Sequence, residues 1–178
     1  MQVSLIVSVI GADRPGLVEQ LSTAVTDAGG NWEGSRLVRL GGQFAGMVQV
    51  VIPESQQTAL EANLSALEAE GLKVTSVHSE ESASPTEGGD RIYTLAVVGQ
   101  DRPGIVSTIA KALAGEGVNV IELATDCKNA PWSGERLFHT TARILLPASV
   151  DLDELRNLIE EIAGDLMVEL DREAEPTP

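Results

Sequence analysis

A ten-residue segment that occurs twice constrains this chain more than any other feature. V-I-G-A-D-R-P-G-L-V at 9–18 returns as V-V-G-Q-D-R-P-G-I-V at 97–106, with seven of ten positions identical. The 88-residue offset holds through Asn31 and Asn119, then becomes 94, which aligns Phe44 with Phe138 and Pro53 with Pro147. A period near 90 is too long for a solenoid repeat and suits a small domain with a core of its own. The 178 residues, 43% of them apolar, therefore read as a duplicated domain. The first copy spans 1–79 and the second 91–170. Between them, E-E-S-A-S-P-T-E-G-G-D at 80–90 is charged, small and almost free of apolar residues, as a linker would be, and 171–178 reads as a flexible tail of similar composition.

Each copy carries the same order of elements. In the first, Val3, Leu5, Val7 and Val9 alternate with Ser4 and Ser8, the period of a strand with one better-buried face, and Tyr93, Leu95 and Val97 repeat the pattern. Pro15 suits the first turn of a helix, where its missing N–H costs nothing. Leu17, Leu21, Ala24, Val25 and Ala28 follow at helical spacing until Gly29-Gly30. In the second copy the stripe is Ile105, Ile109, Ala112 and Leu113, with Gly115 and Gly117 after it. Two β-rich runs, 31–40 and 43–52, flank the turn pair Gly41-Gly42 and predict a hairpin. Leu60, Leu64 and Leu67 mark a second helix, as do Leu155, Ile159 and Ile162, and last strands begin at Leu72 and Leu166. The order βαββαβ predicts an α+β, ferredoxin-like layout: an antiparallel four-stranded sheet, strand order 4-1-3-2, with both helices on one face. Copies this small leave a sheet face and edges uncovered, so pairing between copies, within a chain or as a homodimer, is expected.

Charge and composition remove several function classes. Twelve Lys and Arg stand against 27 Asp and Glu, a formal charge of −15, and no basic cluster exists that could neutralise phosphates, so direct nucleic-acid binding is not expected. No apolar run reaches the roughly 18 to 20 residues of a membrane helix, and the start lacks the basic region of a signal peptide, so a cytoplasmic chain is expected. One Cys and two His match no metal spacing. G-x-G-x-x-G, P-loop, G-x-S-x-G and H-E-x-x-H patterns are lacking, and no cofactor is expected. No pair of nucleophile and base is visible either, so the chain reads as a non-enzyme.

The D-R-P-G turn joins the first strand to the first helix of each copy, where free backbone N–H groups and the positive end of the helix dipole favour an anion. Gly16 and Gly104 remove a Cβ beside those groups, which would let a carboxylate approach. A structural reading stands beside this one: Pro and Gly at a helix start, capped by Asp13 or Asp101, are common devices of folding. Asn31 and Asn119 likewise allow two readings. Either each ends its helix in a left-handed conformation, or each offers a side-chain amide to a ligand held at the turn of another copy, since within one copy the helix separates them by about 20 Å.

G-x-D-R-P-G-[LI]-V on a βαββαβ unit, with Asn after the first helix, resembles the ACT domain, a regulatory module that binds amino acids and other small metabolites. Both copies match, over about 1–79 and 91–170. The tandem arrangement, the length and the longer second hairpin, C-K-N-A-P-W-S-G-E-R-L-F, resemble the glycine cleavage system transcriptional repressor family. Phosphoserine phosphatase and formyltetrahydrofolate deformylase carry similar amino-terminal copies but continue into a catalytic domain. The resemblance implies a regulator that binds an amino acid such as glycine at ACT interfaces and controls a protein partner, a DNA-binding activator. It implies ligand contacts from Asp13, Arg14, Pro15, Gly16, Leu17 and Asn31 and from Asp101, Arg102, Pro103, Gly104, Ile105 and Asn119. The alternative is an interaction module without a ligand.

The remaining polar and aromatic residues attract plainer readings. His78 and His139 read as packing or surface residues, and Cys127 in the long Cys127–Leu137 loop as an ordinary thiol despite nearby Lys128. Trp32 suits a strand position, while Trp132 suits either the loop or a partner surface. Acidic helix positions such as Glu61, Glu68, Glu70, Asp153, Glu154, Glu160 and Glu161 read as solvated.

Overall fold

The computed structural model describes residues 1–79, 89–130, 134–164 and 166–173. The chain divides into two compact units, 1–81 and 82–178. In the first, β1 (Gln2–Ala12), α1 (Leu17–Asp27), β2 (Asn31–Leu40), β3 (Gln43–Pro53), α2 (Gln57–Glu68) and β4 (Leu72–His78) build one sheet in the order β2-β3-β1-β4. In the second, β5 (Arg91–Gln100), α3 (Ile105–Gly115), β6 (Asn119–Asn129), β7 (Arg136–Leu146), α4 (Leu152–Ala163) and β8 (Met167–Arg172) give β6-β7-β5-β8. Every pairing is antiparallel. This is the 4-1-3-2 order that the repeat predicts, found twice.

Alternation along the central strands selects the face that the helices cover. Leu5, Val7 and Val9 of β1 and Val48, Val50 and Ile52 of β3 meet Leu17, Leu21, Val25, Leu60 and Leu64 in one buried cluster. Tyr93, Leu95, Val97, Ile144 and Leu146 meet Ile105, Ile109, Leu113, Leu155 and Ile159 in the other. Each such aliphatic side chain contributes about 1.5–3 kcal/mol on burial. The other sheet faces retain exposed Ile10, Val38, Met47 and Val77 in the first unit.

Helix ends follow from glycine. After α1, Gly29 (φ 72) is left-handed, its N–H bonds to Thr26 and that of Gly30 to Val25. After α3, Gly117 (φ 70) and Val118 bond in the same way to Ala114 and Leu113. Both ends are Schellman closures. No described residue other than glycine has positive φ, so Asn31 and Asn119 do not end their helices in a left-handed conformation; they open β2 and β6. Gly115, placed beyond the helix by its sequence position, is the last residue of α3. Pro15 lies in the turn before α1 rather than in its first turn, because Gly16 is the N-cap.

Two further expectations change. The Cys127–Leu137 segment begins and ends as strand rather than loop: Cys127 pairs with Phe138, Lys128 with Leu137 and Asn129 with Arg136. Trp132 lies outside the described residues, as do 80–88 of the linker. Asp171, Arg172 and Glu173, grouped with the tail by composition, belong to the second sheet: Asp171 pairs with Thr94, Arg172 with Tyr93, and the Glu173 N–H donates to the Ile92 carbonyl. A polar edge strand has no apolar alternation by which to recognise it. The rest of that tail, 174–178, lies outside the described residues. Among the described residues no helix is long and apolar enough to cross a membrane.

Candidate functional site

The first glycine of the repeated motif is a packing residue. A Cβ on Gly11 would stand 2.8 Å from the Gly71 carbonyl oxygen, and one on Gly99 would meet the Leu166 side chain and stand 3.1 Å from its Cα. The strand thus passes directly under the turn that starts the last strand, in both units. Beyond this crossing the chain turns through Asp-Arg-Pro-Gly into the helix. The Asp13 N–H donates to the Gly42 carbonyl at 3.0 Å and the Asp101 N–H to the Arg136 carbonyl at 2.9 Å, which ties each turn to the hairpin beside it.

Gly16 (φ 91) and Gly104 (φ 95) are the N-caps of α1 and α3 in left-handed conformation, and neither helix start has a side-chain cap. Asp13 and Asp101 therefore do not cap. Their carboxylates are drawn sideways to guanidinium groups, Asp13 to Arg39 Nε at 2.6 Å and Asp101 to Arg136 Nε at 3.1 Å. The two arginines occupy different strands of the hairpin, β2 in one unit and β7 in the other. The first intrahelical bonds run from Gln20 N–H to Gly16 and from Thr108 N–H to Gly104. The backbone N–H groups preceding these bonds point out of the helix start, where the dipole is positive. A Cβ on Gly104 would meet nothing within 4 Å, and one on Gly16 only Glu19 Oε2 at 4.0 Å. Backbone conformation, not lack of space, thus favours glycine here.

The other turn residues divide by role. Leu17 and Ile105 are buried in the two cores, so their side chains are committed to packing and only their backbone N–H groups lie at the helix starts. Arg14 donates to Gln20 Oε1 at 2.8 Å and pairs with Glu70 at 3.2 Å, so Glu70 is engaged as well as solvated. In the second unit the positions equivalent to Gln20 and Glu70 are Thr108 and Gly164. There, a pocket of ≈ 200 Å³ opens beside the turn, lined by Arg102, Pro103, Gly104, Ile105, Thr108, Ile109, Ile162 and Leu166. Ile162, grouped by helical spacing with Leu155 and Ile159, is 39% exposed and lines this pocket.

Asn31 and Asn119 are not brought to the turns of their own units. Asn31 pairs with Val51, which pairs with Ser4 at the start of β1, while the turn follows Ala12 at its end. Asn119 relates in the same way to Leu145 and Ile92. Eight strand residues separate the two ends, about 26 Å. Arg39, Arg136 and Thr108, and the Ile162 and Leu166 pocket wall, escape sequence reasoning. Only Thr108 has a local signal, one helical turn after Gly104; the others come from elements far along the chain.

Among the described residues no group of three His, Cys, Asp or Glu side chains is arranged to hold a metal ion. His78 ends β4, His139 lies in β7 opposite Asp126, and Cys127 is exposed on β6.

Residues 4–76 match the ACT domain family. The glycine cleavage system transcriptional repressor of Escherichia coli strain K12 is 25% identical over 162 residues, covering 91% of this chain and 85% of that protein, and the repressor of Shigella flexneri matches equally. Among solved structures, a protein of unknown function from Galdieria sulphuraria is 31% identical, with a TM-score of 0.81 over 98% of this chain and all of the other. A structure provisionally assigned as a glycine cleavage system transcriptional repressor shares the fold, with a TM-score of 0.71, 20% identity and coverage of 98% and 99%.

Proposed function

This chain is a tandem ACT-domain protein resembling the glycine cleavage system transcriptional repressors, and from that premise we propose that it is a non-catalytic regulator that senses an amino acid. The bound state is passed to a protein partner that acts on transcription of glycine or amino-acid metabolism. The supporting observation is the uncapped, glycine-started helix at each Asp-Arg-Pro-Gly turn. In the second unit it opens on a pocket of ≈ 200 Å³ beside Arg102 and Thr108. An amino acid places its carboxylate on the helix-start N–H groups. Its ammonium then needs acceptors, and the side-chain amide oxygen of Asn31 or Asn119 supplies one when a second ACT domain, antiparallel to the first, brings its β2 or β6 start to the turn. The partner is a DNA-binding protein, as the resemblance to the repressors implies, and a chain of formal charge −15 without a basic stripe of its own agrees with that.

A thermal-shift screen of the full chain with glycine, serine and the other amino acids tests this reading, since a ligand that binds only the folded state raises the melting temperature. A rise with one or a few of them is expected, and it should disappear in Asn31→Ala/Asn119→Ala. Ligand binding unchanged in that double variant would refute the shared site. The exposed Ile10, Val38, Met47 and Val77 on the outer sheet face favour a second reading, an interaction module that needs no ligand. Under that reading no amino acid shifts melting, yet the chain self-associates in sedimentation experiments.

A further inference from the structure

The two Asp-Arg-Pro-Gly turns differ in what already stands beside them. In the first unit Glu19 belongs to the first turn of α1, with its Oε2 4.0 Å from where a Cβ on Gly16 would lie. Arg14 of that turn donates to Gln20 and pairs with Glu70. At the equivalents of Glu19, Gln20 and Glu70 the second unit carries the shorter Ser107, Thr108 and Gly164, and the first turn of α3 has no acidic residue. Here the pocket of ≈ 200 Å³ opens at the helix start.

Its walls say what kind of molecule it takes. Ile109, Ile162 and Leu166 supply aliphatic surface, and Arg102 and Thr108 are the polar side chains of the lining. Ile109 and Leu166 are otherwise buried, while Ile162 is 39% exposed, apolar surface that only an occupant removes from water. A cavity of about 150 Å³ holds a benzene ring, so ≈ 200 Å³ takes about eight non-hydrogen atoms, the number in valine, well above glycine and well below phenylalanine. Glycine ends at its Cα and would leave water against the isoleucine walls.

We infer that the amino acid bound at the second unit has a small branched aliphatic side chain, of valine size, and that Ile162 and Leu166 select it. This inference rests on the reading of the chain as an amino-acid sensor and adds the class of side chain. The carboxylate lies at the Gly104 helix start, and the branched methyl groups lie against Ile109, Ile162 and Leu166.

Full-length protein, with its Ile and Leu methyl groups followed by NMR, is titrated with valine, glycine and phenylalanine in separate arms. Saturable shifts at Ile109, Ile162 and Leu166 are expected with valine, at a Kd at least about tenfold below that of glycine, because each carbon placed in an apolar pocket counts for about that much. Ile162→Ala should weaken valine about tenfold and leave glycine where it was. Thr108→Gln carries the first unit's residue to an exposed helix position and should also weaken valine, which keeps the test open if Ile162→Ala unfolds. The inference is overturned if valine gives no saturable shift, if glycine binds as tightly, if phenylalanine binds more tightly, or if both variants bind valine as before. Amino-acid sensing itself survives any of these outcomes so long as some amino acid raises the melting temperature, and it fails with this inference if none does.

Discussion

At the residue scale, the two glycines of each repeated motif answer to different physics. Gly11 and Gly99 are demanded by a close approach, while Gly16 and Gly104 are demanded by a left-handed backbone with open space around them. Gly11→Ala must push the Gly71 carbonyl aside and is expected to cost about 1–3 kcal/mol in urea unfolding. Gly16→Ala and Gly104→Ala meet no wall but place a Cβ at positive φ, at about 1–2 kcal/mol each. A loss of both stability and binding in Gly16→Val or Gly104→Val would therefore report backbone strain as well as a blocked approach. Asn119→Ala probes binding with less disturbance, because Asn119 is an exposed strand residue with negative φ. The carboxylates of Asp13 and Asp101 belong to ion pairs with Arg39 and Arg136, so their part in any site is to hold the turn against the hairpin.

At the element scale, the helices differ in how they begin. α4 starts at Asp151, whose carboxylate accepts from the N–H groups of Asp153 and Glu154 at 2.9 and 3.1 Å. Asp151→Ala should cost about 0.5–2 kcal/mol, measured as a lower urea midpoint at unchanged slope. α1 and α3 have no such side chain, which leaves their helix starts available. The last strand is tied down by charge. Arg143 donates to Glu173 from Nε at 2.9 Å and Nη2 at 2.9 Å, and the Thr94 hydroxyl adds a bond at 3.0 Å. The Arg143 hydrogen bonds hold the Glu173 carboxyl below its ordinary 4.5, against a smaller opposing effect of partial burial. A carboxyl whose folded pKa is depressed stabilises the fold above its unfolded value, and that stabilisation is lost as pH falls through the folded one. Amide exchange at Glu173 and along β8 is therefore expected to lose protection as pH drops below about 4.5, and Glu173→Gln should flatten that dependence. Protection in the native protein that is indifferent to pH there would show that the ion pair does not anchor the strand.

At the scale of the whole molecule, acidity and duplication set what the chain can do unaided. With a formal charge of −15 and no basic cluster, the purified chain is expected to leave duplex DNA unshifted in a mobility assay at physiological salt. A promoter fragment retarded in a salt-dependent way by the protein alone would contradict this. Duplication also gives two like turns whose surroundings differ. Arg14 is engaged by Gln20 and Glu70, while the second unit carries Thr108 and Gly164 at those positions and a pocket beside its turn. A first-unit change such as Glu70→Ala should accordingly leave the amino-acid response of the second unit in place, read by methyl NMR at Ile162.

The repeat and its periodicity determined the element order and the strand order of both units, because alternation of period two and helical stripes of Leu, Ile and Val reflect burial on one face, a property written residue by residue. They also determined where the turn motif sits, since strand, Pro-Gly and helical stripe are contiguous in the chain. What Asp13 and Asp101 bind was decided only by tertiary structure: their arginines lie 26 and 35 residues away on different strands, and no local pattern encodes such a pairing. The same holds for the three-residue extension of the last sheet through Glu173, held by an ion pair with β7, and for the exposed position of Ile162, whose helical spacing matched that of two core residues. Spacing tells which way a side chain leaves its own helix; whether anything covers it depends on elements that the fold brings in from elsewhere.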